Sequence, residues 1–378
     1  MIVATSTPVQ AATQSNYHDL KAHDSGFDLN QKDSLPAVKL LPKDDVLQRQ
    51  ASGAENFNPG LEILPPLPIV SPKPTLPAEP EERITPVSKL ERIKLDSIKT
   101  DFKNEQDSFG QENQLLETTL KFRIHDDQKL LFKTGVNSFV LPGVDRVINI
   151  PLQVGWQGKV GLVKVESAIG VDWFDRLPTA INLHLGAEIP ISPSATVSFV
   201  VDQEPYKSSA KVLENGVSSW RYGPSFYWQI DPKTSFFSMY RLGHYNDGNF
   251  EQQSFSRLER KIGQFSVSTN LFAWNYRQDM QQRKGYFSPP DFLVYNAELA
   301  WEGDLFKFLH CQLAGTVGRQ RLNGEISPGN TYHTRCTVKI SPQVELDLGY
   351  AASSVRKRDT GASGSSSREI TSQLRVSF

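Results

Sequence analysis

Glu369, Ile370, Thr371, Ser372, Gln373, Leu374, Arg375, Val376, Ser377 and Phe378 close the chain. Ile370, Ser372, Leu374, Val376 and Phe378 share one register, and Glu369, Thr371, Gln373, Arg375 and Ser377 the other. Successive side chains of a strand point to opposite faces, so this period of two writes one largely apolar face and one polar face. A strand wetted on one side and greased on the other reads this way. The last strand of a soluble sheet would look similar in isolation, and the rest of the chain has to decide.

Period-two alternation fills the chain from residue 129 onward. Fourteen strands are expected, at 129–141, 146–157, 159–173, 181–190, 194–202, 217–230, 235–243, 252–260, 264–277, 292–302, 305–320, 331–341, 344–355 and 369–378. Residues 115–125 alternate as cleanly, and if they join the sheet a partner must come from 88–102, which makes sixteen. Both counts stay open on the sequence.

Connections alternate in length. Short turns at Ser192, Asp231, Gly303–Asp304 and Ser341 take turns with long polar loops at 203–216, 244–251, 278–291, 321–330 and 356–368. Outer-membrane barrels have short periplasmic turns and long extracellular loops. With Phe378 at the periplasmic end, the Ser/Gly-rich loop 361–367 falls outside the cell. Leu374, Val376 and Phe378 are then the candidate signal read by the barrel assembly machinery. A soluble sandwich fits fourteen strands with graded loops poorly. The expected fold class is therefore all-β: an antiparallel transmembrane β-barrel of 14–16 strands, embedded in outer-membrane lipid and preceded by a disordered Pro-rich segment.

Composition divides the 378 residues the same way. Twelve of the 24 Pro lie at or before Pro86, whereas all six Trp lie after it. Residues 1–113 carry 12 Lys/Arg against 17 Asp/Glu, and the remainder 29 against 25, so neither part resembles a nucleic-acid binder. Mean hydropathy is −0.41 and no stretch approaches the ~18 to 20 apolar residues of a spanning helix. A barrel escapes that test because only alternate residues face lipid. Residues 1–13 read as the remnant of a signal peptide, ending in small residues. Residues 14–113 read as a disordered periplasmic arm, and 114–378 as the barrel, with 129–378 its core. Pro59–Pro86 favours polyproline II, at about 3.1 Å per residue. Such an arm is either a tether that docks a partner or an inert tail.

The more apolar register of each strand is expected to face lipid, as for Trp220, Tyr222, Phe226 and Trp228, or Leu293, Tyr295, Leu299 and Trp301. The opposite register then lines the lumen with Arg221, Arg241, Asn270, Trp274, Tyr276, Glu298, His310, Arg335, Lys339, Glu345, Asp347, Gln373 and Arg375. Charges of both signs, amides and two rings suit a neutral polymer, since rings stack on sugar faces and polar groups bond hydroxyls. The plainer reading is that these residues solvate or cross-link the wall. Cys311 and Cys336 fall in the apolar register of successive strands. They read as small apolar fillers in preference to a disulfide formed in an oxidising periplasm.

The seven His are scattered, and no catalytic motif, phosphate-cradling loop or metal-spaced thiolate pair is present in the sequence. The chain is expected to be no enzyme and to need no cofactor or metal. Asn246, Asp247, Gly248 and Asn249 suit a hairpin tip better than half a calcium loop.

Gly285, Tyr286, Phe287, Ser288 and Pro289, followed by Pro290 and a strand, resemble the Gly-Tyr-Phe/Tyr-Ser-Pro-Gln motif of the C-terminal barrel of the cellulose synthase operon protein C family. Pro290 replaces the usual Gln. Gly143–Val147 with Ile150–Leu152, Glu204–Ser209 and Ser256–Glu259 resemble further family segments in the same order, over roughly residues 129–378. The resemblance implies a barrel of about sixteen strands in the outer membrane that passes a nascent cellulose-like glucan outward. It further implies an inner-membrane glycan synthase and a periplasmic tetratricopeptide protein as partners. This chain has no 34-residue repeat pattern, and its Pro-rich arm stands where the repeats would be. The alternatives are a structural barrel that anchors the arm, and a general porin.

Overall fold

The computed structural model describes residues 93–125, 128–356 and 366–378. In chain order the strands are β1 (Lys94–Asp107), β2 (Glu112–His125), β3 (Gln128–Leu141), β4 (Val144–Val160), β5 (Val163–Phe174), β6 (Ala180–Ser192), β7 (Ala195–Pro205), β8 (Ser218–Asp231) and β9 (Thr234–Tyr245). They continue with β10 (Phe250–Ile262), β11 (Phe265–Tyr276), β12 (Phe292–Phe306), β13 (Leu309–Leu322), β14 (Glu325–Pro328), β15 (Thr331–Ser341), β16 (Val344–Ser353) and β17 (Ser367–Ser377). Two short helices, α1 (Ala210–Glu214) and α2 (Gln281–Lys284), sit in the connections before β8 and β12.

Each strand pairs antiparallel with its sequence neighbour, and β1 pairs with β17 from Ser97↔Ser377 to Asp107↔Ser367, so the sheet closes on itself. Four-residue β14 only folds back on the end of β13, and β15 takes the place beside β13 in the wall. The cylinder thus has sixteen strands, the larger of the two counts. Its last backbone bond runs from the Phe378 amide to the Asp96 carbonyl at 3.0 Å.

The barrel starts at Lys94, twenty residues before the boundary at 114 that composition suggests, so β1 and the start of β2 occupy what reads as arm. In β1 only Ile98 and Phe102 give the outer register a strong apolar signal, between Lys99, Asp101 and Lys103. Pairing with two cleaner neighbours rescues a strand too polar to announce itself. The turn expected at Gly303–Asp304 moves to 307–308. Gly303 lies inside β12 opposite Cys311, and an irregularity between Asp304 and Phe306 absorbs the offset. The signal-peptide remnant at 1–13, the arm from 14 to 92 and most of the loop 361–367 lie outside the described residues.

The end that carries Phe378 has two-residue turns at 161–162, 193–194, 232–233, 263–264, 307–308 and 342–343. The opposite end bears the long connections 206–217, 277–291 and 323–330. In this class of barrel the short-turn end faces the periplasm. The outer face is apolar, with Leu152, Val154, Ile169, Leu185, Phe199, Leu271, Leu299 and Val317 among its exposed side chains. Trp220 and Trp228, also exposed, bracket this band on β8. Eight residues at ~3.4 Å each and a tilt of about 40° put them about 21 Å apart along the membrane normal, near the ~25 Å of an outer-membrane apolar band.

Cys311 and Cys336 are joined by a disulfide, although their sequence context favours two apolar fillers. Their Cα atoms stand 4.1 Å apart in register, a proximity that depends on how β13 and β15 align around β14 and not on either strand's pattern.

The two faces give a stability test. Phe199, on the outside, pairs with Pro224, midway between Trp220 and Trp228, whereas Val200 lines the lumen. Phe199→Arg is expected to destabilise the barrel by about 2–4 kcal/mol in a bilayer, and Val200→Arg by clearly less. Denaturant unfolding in lipid vesicles checks the difference.

Candidate functional site

Sixteen-stranded barrels enclose a lumen wide enough for water. Here the interior is divided. One half holds a cavity of about 960 Å³ lined by β1–β7 and β15–β17, with Ser225 the single contribution of β8. The other half, against β8–β13, is filled at its outer end by aromatic side chains from the wall and from two connections that fold inward instead of projecting from the cell.

The connection 277–291 supplies the larger plug. Met280, Tyr286 and Phe287 are buried with Phe255, Phe272, Trp274, Tyr276 and Phe292 in one apolar cluster. Gly285 ends α2 at φ +87°, a conformation that favours glycine, and a Cβ there would lie 2.8 Å from the Lys211 side chain. Ser288 Oγ accepts a hydrogen bond from the Met280 amide at 2.6 Å, and the Pro289 carbonyl accepts from the Tyr276 amide. Tyr286 OH donates to Asp247, and Asn249 Nδ2 donates to that same hydroxyl, each at 3.0 Å. Burial, reinforced by Asp247, pushes the Tyr286 phenol well above the ordinary tyrosine range, so it stays a neutral hydroxyl. Gly285–Pro289 therefore shapes the plug. The hairpin tip 246–249 serves as its socket.

The connection 206–217 runs across the mouth. Tyr206 packs edge-on to Tyr245 and Tyr286 on the plug side, at 5.3 and 5.5 Å between ring centroids. On the far side Ala210 and Leu213 of α1 pack against Phe139, Leu141, Val147 and Phe174 of β3–β5. Lys207 reaches Asp172 at 3.2 Å and Glu204 at 3.4 Å. Burial alone would lower the pKa of this ammonium, but Glu204, Asp172 and Glu117 outweigh it and hold the group above the ordinary lysine range, fully charged.

Below that connection an amide ladder crosses the wall. Asn137 donates to Glu117 and Asn149, Asn149 to Asp172 at 3.1 Å, Asn182 to Asp172 at 3.0 Å, and Gln153 to Asn182. Further into the cavity Lys133 pairs with Glu117, Lys164 with Glu188 and Lys103 with Glu369. Six basic and eight acidic side chains line the space, many of them neutralising one another, so the field inside is weak.

The lumen residues expected from the sequence fall into two groups. Arg335, Asp347 and Gln373 line the cavity, with Arg335 bonded to Asp347 at 2.8 Å and Gln373 to Asp101 at 2.6 Å. Arg375 contacts Glu345 at 3.4 Å, and Lys339 stands opposite Glu345 in register. His310 joins Glu302 and Asp304 near the periplasmic turn. Arg221, Arg241, Asn270, Trp274, Tyr276 and Glu298 are instead buried on the plugged side.

Trp274 is 2% and Tyr276 4% exposed. The Trp274 indole donates to Glu251 at 3.0 Å and its ring meets Phe287 edge-on, so neither ring offers a free face to a sugar. Their inward register holds; the inward loop, which periodicity does not report, covers them. Glu251, fully buried, also takes a bond from Tyr245 and pairs with Arg221 at 3.3 Å. Glu298 pairs with Arg257 at 2.6 Å, and Arg257 bonds Asn270. Asp172, Lys207, Asn149 and Asn182 are not among the lumen residues expected from the sequence, although Asn149, Asp172 and Asn182 occupy inward positions of β4–β6 and stand out there as amide or carboxylate.

No family model matches the chain, and no curated protein matches it either. Among solved structures, a bacterial polysaccharide outer membrane secretin superposes with a TM-score of 0.63 at 9% identity, covering 75% of this chain and 99% of that one. OprD from Pseudomonas aeruginosa superposes less well, with a TM-score of 0.44 at 8% identity over 77% of this chain and 96% of that one. The fold is that of a closed sixteen-stranded outer-membrane β-barrel.

Removing one member of the buried cluster leaves another uncompensated. Glu251→Ala strands Arg221 and is expected to cost about 3–5 kcal/mol of stability. Unfolding of the detergent-solubilised barrel measures it.

Proposed function

We propose that the protein is an outer-membrane channel that exports an exopolysaccharide, most simply a cellulose-like glucan. The observation that carries this reading is the cavity of about 960 Å³, whose wall combines mutually neutralised ion pairs with a ladder of amides. A hydroxyl-rich, uncharged chain can exchange weak hydrogen bonds with such a wall at every step, and none of them is strong enough to hold it. A lumen of one sign would instead select small ions. The polysaccharide secretin that superposes on this barrel, and the resemblance of Gly285–Pro289 to the cellulose-export motif, support the same substrate class. Transport is passive, driven by synthesis at the inner membrane, with a glycan synthase and a separate periplasmic tetratricopeptide protein as partners and the N-terminal arm reaching into the periplasm.

The inward connections favour a second reading, a plugged barrel that anchors the arm without exporting anything. Deleting the gene separates the two. Export predicts loss of extracellular glucan with accumulation in the periplasm; unchanged secretion would leave the anchor. The measurement is glucan content in the two fractions, with plasmid complementation as control.

A further inference from the structure

We infer that polymer leaves through one sector of the mouth, between α1 and the β3–β6 wall, and that the Lys207–Asp172 ion pair holds this exit shut. The inference deepens the export reading and rests on it. Two different kinds of contact hold the two sides of the connection 206–217. Toward the plug, Tyr206, Val212 and Val217 belong to the large aromatic cluster. Toward β3–β5 Ala210 and Leu213 are buried with Phe139, Leu141, Val147 and Phe174 in an apolar cluster smaller than the aromatic one, and polar contacts supplement it. They are Lys207 on Asp172, Arg176 on Glu214 at 2.5 Å, and the Ser208 carbonyl accepting from Gln111 and Asn113.

Apolar packing has no replacement in a wet lumen, but each of these polar contacts does. Asp172 is fully buried and already accepts from Asn149 and Asn182. Lys207 lies at the edge of the main cavity, beside Glu204 and Asn182. Asp172 itself does not line the cavity, so a sugar hydroxyl rising through it meets Lys207 first, accepts from its ammonium, and can donate to Asp172 once Lys207 turns away. A buried ion pair is often less stabilising than a well-packed apolar contact, which makes it a poor permanent fastener and a suitable releasable one. The plug side has no such substitute, since Trp274, Phe287 and Phe292 meet edge to face.

The test is ion conductance of the purified full-length protein in planar lipid bilayers without polymer, so its result does not depend on what the channel exports. Lys207→Met is expected to raise open probability by about tenfold or more. Asp172→Asn added to it should change little further, because the pair is already broken. Gln153→Cys, in the cavity, should become reactive to an impermeant thiol reagent added from the outside in the Lys207→Met background, and Asn270→Cys, beneath the plug, should not. Heat-modifiable mobility reports folding. If Lys207→Met does not fold, Glu204→Gln, which removes the half-exposed second carboxylate, should give a smaller rise. A folded Lys207→Met or Glu204→Gln protein with wild-type conductance would overturn the exit, as would labelling of Asn270→Cys ahead of Gln153→Cys. Normal gating together with unchanged glucan secretion after gene deletion would reject the substrate and keep the gate.

Discussion

Closure of the β1–β17 ladder is the constraint on which the rest depends. In hydrocarbon no water meets an open backbone edge, so every N–H and C=O of a spanning strand must find a neighbouring strand. Eleven registered pairs between Lys-rich β1 and the C-terminal strand meet that requirement at the seam. It also explains why a strand as polar as β1 belongs to the wall. Its inward charges Lys99, Asp101 and Lys103 face water, and the outer side needs only enough apolar surface to tolerate lipid.

Within that cylinder two solutions to interior packing coexist. On the β8–β13 side the inner register is buried by its own loops, and it behaves like the core of a soluble protein, with aromatic rings edge to face and carboxylates held by arginine, tyrosine and indole partners. On the other side the inner register stays wet and carries ion pairs and amides. The same alternation of side chains serves both, because a strand specifies only which residues face inward. What fills the space in front of them comes from elsewhere in the chain. A polymer path confined to the wet half would be off-axis and narrow, with Lys207 and Asp172 at its outer end.

Plugging and export need not conflict. A connection packed into an aromatic cluster on one side of the mouth and held by a smaller apolar cluster with ion pairs on the other would let one barrel be closed at rest and open during export. The fixed side is built from the Gly285–Pro289 stretch, whose glycine conformation, buried serine hydroxyl and buried tyrosine all serve loop geometry.

By itself the sequence determined the barrel, its two faces, the end that carries the short turns and the inward direction of residues such as Arg335, Asp347, Trp274 and Tyr276, because all of these follow from a two-residue period and from loop lengths along one strand at a time. Only the tertiary structure decided that β1 is a wall strand, that Cys311 meets Cys336, that the connections 206–217 and 277–291 turn inward, and that Trp274 is covered while Asp172 meets Lys207. Each of these is a contact between segments far apart in the chain, and periodicity carries no information about where a loop goes once it leaves its strand.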